Sequence, residues 1–210
     1  MSVVERSFVG RYLERFIFFL LIIMLSACAM NSPIPLSSPP FLGNGYPKKL
    51  AVGEPLPNEV VVVVNTNIKM VHAGMFAGST LLDPAGSYVG TRRQNPQWSG
   101  ISLQDYIRFQ LEDGPSVRLY RFLLSPEQFA QVKARVDKAG GTIPFFCAAR
   151  VQNIISGIAP FESVPDVWLV SPSALANLLD VIIRDNHKSG ACYWPNGDSC
   201  YLSQEGLRGS

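Results

Sequence analysis

Few residues in this chain are equipped for chemistry: 210 residues contain four cysteines and two histidines, and the pair whose setting suggests reactivity is Cys147 and His72. Cys147 follows Thr142-Ile143-Pro144-Phe145-Phe146 and opens a stretch with helical periodicity. A thiol at a helix N-terminus faces unpaired backbone N–H groups and the positive end of the helix dipole, which lowers its pKa and raises its thiolate fraction. His72, within Val71-His72-Ala73-Gly74, lies in a strand-like segment. From a neighbouring strand an imidazole can take the thiol proton and later return it to a leaving group. The N–H of Cys147 is itself a candidate oxyanion donor, a contribution of about 3 kcal/mol when such a group is well placed. A third residue should orient the imidazole and stabilise its charged form. Asp83 is the candidate, because it ends the strand after the one carrying His72, and a hairpin between them would place both side chains on one face.

Each of the three also has a simpler explanation. Cys147 shares a helical face with Val151 and Ile154, as a small buried residue would. His72 alternates with Met70 and Phe76, as a core histidine bonded to backbone would. Asp83 starts Asp83-Pro84-Ala85-Gly86, a turn in which aspartate is favoured at the first position.

The elements that must position these residues are legible in part. Val60 to Val64 is an unbroken β-branched run, read as a strand buried on both faces. Met70 to Phe76 alternates, with Met70, His72, Gly74 and Phe76 on one face and Val71, Ala73 and Met75 on the other. Thr80 to Asp83 fits a third short strand, and Arg92 to Ser99 reads as a polar loop. Ser102 caps a helix through Leu111, and Gly114-Pro115 ends it before a strand over Val117 to Leu123. Ser125-Pro126-Glu127 starts a second helix, with Phe129, Val132 and Val136 at helical spacing and Gly140-Gly141 as the stop. A third runs from Cys147 to about Ile158. A fourth, after Ser171-Pro172, carries Leu175, Leu178, Leu179 and Ile182 on one face. Strands followed mostly by helices predict an α+β domain, a small antiparallel sheet packed against helices.

The order of these stations resembles that of the circularly permuted papain-fold cysteine hydrolases, relatives of the NlpC-type cell-wall peptidases and of lecithin:retinol acyltransferase. In that group a histidine comes first in a strand motif, a polar residue follows on the next strand, and the cysteine comes last, opening a helix. His72-Ala73-Gly74-Met75-Phe76-Ala77-Gly78, then Asp83, then Cys147-Ala148-Ala149-Arg150 match that order over roughly Val60 to Ile158. Phe146 stands where many relatives have asparagine before the cysteine, and Asp83 where the acyltransferase branch has a second histidine. The resemblance implies a permuted papain-like domain and a Cys-His-Asp acyl-enzyme mechanism.

The N-terminus supplies an address. Arg6, Arg11 and Arg15 precede an apolar run from Phe16 to Leu25 that is short for a bilayer span and suits a secretory signal. Leu25-Ser26-Ala27-Cys28 resembles the lipobox of bacterial lipoproteins, which implies cleavage before Cys28 and acylation of that cysteine by fatty acids such as palmitate. Ala29, by the same resemblance, favours the outer membrane, with the protein facing the periplasm. Residues 1–27 are thus read as a signal peptide. Residues 28–58, rich in Pro, Ser and Gly, are read as a lipidated tether of several tens of ångströms when extended, and residues 59–210 as one folded domain.

In an oxidising compartment the remaining cysteines are Cys147, Cys192 and Cys200. Cys192 and Cys200 flank a Pro-Asn-Gly turn signal that would bring their sulfurs together, a short-loop disulfide worth about 2–3 kcal/mol. Cys147 is then the odd thiol. Removing the signal lowers the formal charge from +2 to +1, which leaves no basic surplus for nucleic acid. No metal and no cofactor are expected: two histidines make a poor ligand supply, and neither a phosphate-binding glycine loop nor a dinucleotide fingerprint occurs. Expected partners are therefore the membrane, through the lipid anchor, and either a peptidoglycan peptide or a lipid as substrate. Three functions remain open: an amide-cleaving thiol hydrolase, a lipid acyl-ester hydrolase or acyltransferase using the same residues, and a non-catalytic envelope lipoprotein. Nothing in the sequence specifies an oligomeric state.

Overall fold

The structure, a computed structural model, describes residues 52–67, 71–88, 94–186, 189–193 and 200–202. The signal peptide, Cys28 and all but the last residues of the tether lie outside the described residues. Among the described residues no helix is long and apolar enough to cross a membrane. The class is α+β, as expected: among the described residues, an antiparallel sheet and four helices.

Seven strands form the sheet: β1 (Glu59–Thr66), β2 (Val71–Ala77), β3 (Thr80–Leu82), β4 (Gln97–Ser99), β5 (Val117–Leu123), β6 (Ser189–Tyr193) and β7 (Cys200–Leu202), in the order β4-β3-β2-β1-β5-β6-β7. The helices are α1 (Leu103–Leu111), α2 (Pro126–Asp137), α3 (Cys147–Ile155) and α4 (Pro172–Asp185). The valine run occupies central β1 because helices cover both sheet faces. Val60, Val62 and Val64 join the core that contains Val132, Val151 and Leu175 of α2, α3 and α4, while Val61 and Val63 pack with Leu103, Tyr106 and Ile107 of α1. A strand apolar at every position is what two covered faces require.

Three of the helices start as their sequences predict. Ser102, Ser125 and Ser171 each accept a hydrogen bond from an N–H of the first turn, and Ser125 forms a full capping box with Gln128. On the sheet side of α4, Asp180 accepts hydrogen bonds from Tyr120 and Tyr193 and pairs with Arg118, tying the helix to β5 and β6.

Three sequence readings differ from the fold. Gln97 to Ser99, expected within a polar loop, pairs with β3, and the Gln97 amide donates to the Val136 carbonyl. Three residues are too few to show a period. Ser189 to Tyr193, to which the sequence reading assigns no element, is an inner strand beside β5, its small side chains buried. The end of the supposed tether is part of the domain: Val52 is core, the Leu103 N–H donates to Glu54 at 2.8 Å, and Arg121 donates to the Gly53 carbonyl at 3.0 Å. Cross-chain bonds of this kind leave no local pattern in a Pro/Gly-rich segment.

Gly74 is required by a close approach. A Cβ there would stand 2.2 Å from the Tyr106 Oη and 3.2 Å from the Leu82 carbonyl oxygen. Tyr106 is held by edge contacts with Phe76 and Tyr88, so its ring has no free direction. Gly74→Ala should therefore cost about 1–3 kcal/mol as an overpacked core, measured by urea unfolding. Adding Tyr106→Phe should restore most of that loss, because the clashing hydroxyl forms no well-made hydrogen bond in this position. Equal stability of wild type and Gly74→Ala would show that the packing is looser than described.

Candidate active site

The site forms where β3 stops short of β2. Among the described residues β3 pairs only with the C-terminal half of β2, Met75 opposite Leu82 and Ala77 opposite Thr80, and the segment from Val71 to Gly74 has a strand neighbour only in β1. Continuing that register sets Asp83 across from Gly74, diagonal to His72 and on the same face. With no side chain on Gly74, nothing intervenes. The Asp83 Oδ1 and His72 Nε2 are 2.7 Å apart, His72 is 3 % exposed and Asp83 fully buried.

Asp83 takes part both in a turn and in the surroundings of the histidine. Its carbonyl closes the Asp-Pro-Ala-Gly turn by accepting from Gly86 N–H at 3.0 Å, with Gly86 at φ 65°. Its carboxylate meanwhile holds the histidine. The carboxylate is itself fixed by the Tyr88 N–H and by Ser87 Oγ, 3.1 Å from Oδ2. Ser87 also lies 3.2 Å from His72 Nε2, bridging the two. It was missed from sequence because a serine in a polar turn carries no distinguishing signal.

Cys147 reaches this pair from the opposite side of β2. It is the first residue of α3 and 1 % exposed. Its thiol lies beside the His72 imidazole and the backbone N–H groups of Ala73 and Ala148, close enough for all three to favour the thiolate. With Nε2 turned to Asp83, Nδ1 is the nitrogen left for sulfur. The three candidates from sequence are therefore brought together, by a strand, the end of a hairpin and a helix start.

Electrostatics favour the charged pair. Burial pushes the Cys147 thiol up, but the His72 charge, the His72 hydrogen bond and the two backbone N–H groups outweigh it and hold the thiol below its ordinary value. Burial pushes the His72 imidazole down, but the Asp83 carboxylate and the Cys147 sulfur overcome this and raise it well above its ordinary value. The site thus favours a thiolate facing an imidazolium. Tyr106, also missed from sequence, lies against it. Burial, with smaller contributions from Asp83 and Cys147, raises the phenol well above its ordinary range, so it remains protonated.

The start of α3 is built unlike the other three. Phe146 occupies the cap position with no side-chain hydrogen bond, whereas serine caps the other three; as in α4, no acidic residue lies in the first turn. The first backbone bond runs from Arg150 N–H to the Phe146 carbonyl, so the amides of Cys147 to Ala149 precede the helical ladder. Phe145 enters the helix at φ 78°, a left-handed conformation that strains a bulky residue by about 1–3 kcal/mol. The result is an uncapped, electropositive helix end at the nucleophile, suited to a thiolate or the oxyanion of a tetrahedral intermediate.

Of the other sequence-predicted site residues, Cys28 lies outside the described residues. Cys192 stands directly opposite Cys200 across β6 and β7, the register a disulfide between them requires, while the Cys200 side chain lies outside the description. Cys147 is the free thiol among the described residues. No family model, no curated protein and no solved structure matches the chain.

Proposed function

We propose that this protein is a thiol hydrolase of the bacterial cell envelope, anchored by lipid on Cys28, that cleaves an amide bond in peptidoglycan peptides through an acyl-enzyme on Cys147. The observation that carries the reading is the convergence of Cys147, His72 and Asp83 from three separate elements, with Asp83 2.7 Å from the His72 imidazole and the imidazole acting on the thiol. In the reaction the thiolate adds to the scissile carbonyl, and the oxyanion is received by the first amides of α3. Imidazolium His72 protonates the departing amine, and the neutral imidazole then activates water to release the acyl group. The resemblance to permuted papain-like hydrolases supports the assignment. So does the arrangement of a histidine-bearing antiparallel strand against a cysteine-bearing helix start. A disulfide between Cys192 and Cys200, joining β6 to β7, belongs to the same proposal.

One observation favours a second substrate, a lipid acyl ester: Trp168 and Ile143, close to the start of α3, are 78 % and 63 % exposed and would rest well against a lipid surface. The test separates the two. Incubated with purified sacculi, wild-type protein should release soluble muropeptides and Cys147→Ala should release none. Fatty-acid release from phospholipid vesicles, with sacculi untouched, would replace the amidase with the lipid hydrolase. Inertness of both variants toward both substrates, with wild-type phenotype retained by His72→Ala, would leave a binding lipoprotein.

A further inference from the structure

At the start of α3 lies a cavity of about 300 Å³ that the mechanism above does not use, and Cys147 is not among the residues that line it. Its walls include Phe146, Ala149, Arg150 and Asn153 of α3 and the residue before it, together with Thr142 and Trp168. At about 100° per residue, Arg150 lies one helical turn from Cys147 and only about 60° around the axis from it. Phe146, Asn153 and Ala149 lie about 100–160° around, so the cavity flanks the same helix start and comes nearest Cys147 at Arg150, while the sulfur itself faces the sheet.

The lining is apolar with one charge. Phe146 and Trp168 stand with ring centroids 6.3 Å apart. Asn153 is fully engaged, donating to the Val167 carbonyl at 2.7 Å and accepting from the Val167 N–H at 2.9 Å, so it serves as a fixed staple. Arg150 makes no ion pair among the described residues. The Thr142 hydroxyl, in the same wall, is buried without a hydrogen-bond partner among them. A guanidinium offers a planar fork of donors that fits a carboxylate. An aromatic wall with one such fork, in a volume at the small end of ligand sites, suits a residue-sized apolar group bearing a carboxylate.

We infer that this cavity is the subsite for a carboxylate-bearing, apolar residue of the acyl substrate, with Arg150 binding the carboxylate and Phe146 and Trp168 flanking its side chain. The inference rests on Cys147 being the nucleophile, and it narrows the substrate to an acidic peptide end.

The test uses the full chain in detergent, carrying Cys28→Ser, and two reagents with one reactive group: N-bromoacetyl-phenylalanine and its neutral carboxamide. In either, the Cys147 thiolate attacks the bromomethyl carbon, the S–C bond forms, and the C–Br bond breaks with bromide leaving. Labelling is read at Cys147 by peptide mass mapping. The acid should react at least about 10-fold faster than the amide in low salt, with the preference shrinking as salt rises. Arg150→Gln should bring the ratio near that of free cysteine, and Arg150→Lys should retain part of the preference. An acid-to-amide ratio equal to that of free cysteine in the wild type, or one unchanged in Arg150→Gln, would overturn the subsite and leave the nucleophile standing. No labelling by either reagent until the protein unfolds would overturn the nucleophile, and the subsite with it.

Discussion

Alkylation of Cys147 by a neutral reagent near pH 7 should fall about 100-fold or more when His72 is replaced by alanine, the scale of effect expected on losing a positioned base. In the folded protein burial opposes the thiolate, and the His72 charge and hydrogen bond are what overcome it. The wild-type rate should therefore inflect below the ordinary thiol value of 9.0, and that of His72→Ala above it, because burial then acts with only two backbone N–H groups against it. The measurement is the labelling rate against pH in a Cys28→Ser background. Superimposable pH profiles for the two proteins would mean that the imidazole does nothing to the sulfur. Labelling only upon unfolding would make Cys147 a structural core residue.

Replacing Asp83 should be the most damaging change to stability within the site. Removing one member of a buried ion pair typically costs 3–5 kcal/mol. Asp83→Ala also strips the acceptor from the Tyr88 N–H and from Ser87. A loss of about 3 kcal/mol is expected in urea at pH 6. The pH dependence carries the diagnosis. His72 is raised in the folded state, so its stabilising contribution is fully present below the unfolded imidazole value of about 6.5 and disappears as pH rises through the higher folded value. The gap between wild type and Asp83→Asn should accordingly be widest near pH 6 and narrow at alkaline pH, and the variant should also label more slowly at Cys147. A stability difference independent of pH, with labelling unchanged, would reduce Asp83 to the turn-former its Asp-Pro-Ala-Gly context also suggests.

The parts legible in sequence were those written into a few consecutive residues. The serine caps of three helices, the valine run of β1, the alternation of β2 and the position of Cys147 at a helix start all follow from local hydrogen bonding and side-chain period. β4 and β6 did not follow, since each is short and is held by its neighbour strand rather than by its own pattern. Ser87 and Tyr106 were illegible for a related reason: neither residue type is unusual in a turn or on a helix, and each acquires its role from what is folded against it.

By itself, then, the chain determined an α+β class, the helices and the longer strands, and the inventory of reactive groups, because these depend on propensities that act over one or two turns. Whether those groups meet was decided by tertiary structure. The hairpin register sets Asp83 across from Gly74, the early end of β3 frees the edge of β2 for the sulfur, and packing of α3 on that edge brings Cys147 to His72. The last of these joins segments far apart in sequence, and even the hairpin register is fixed by sheet pairing and core packing that no local pattern encodes.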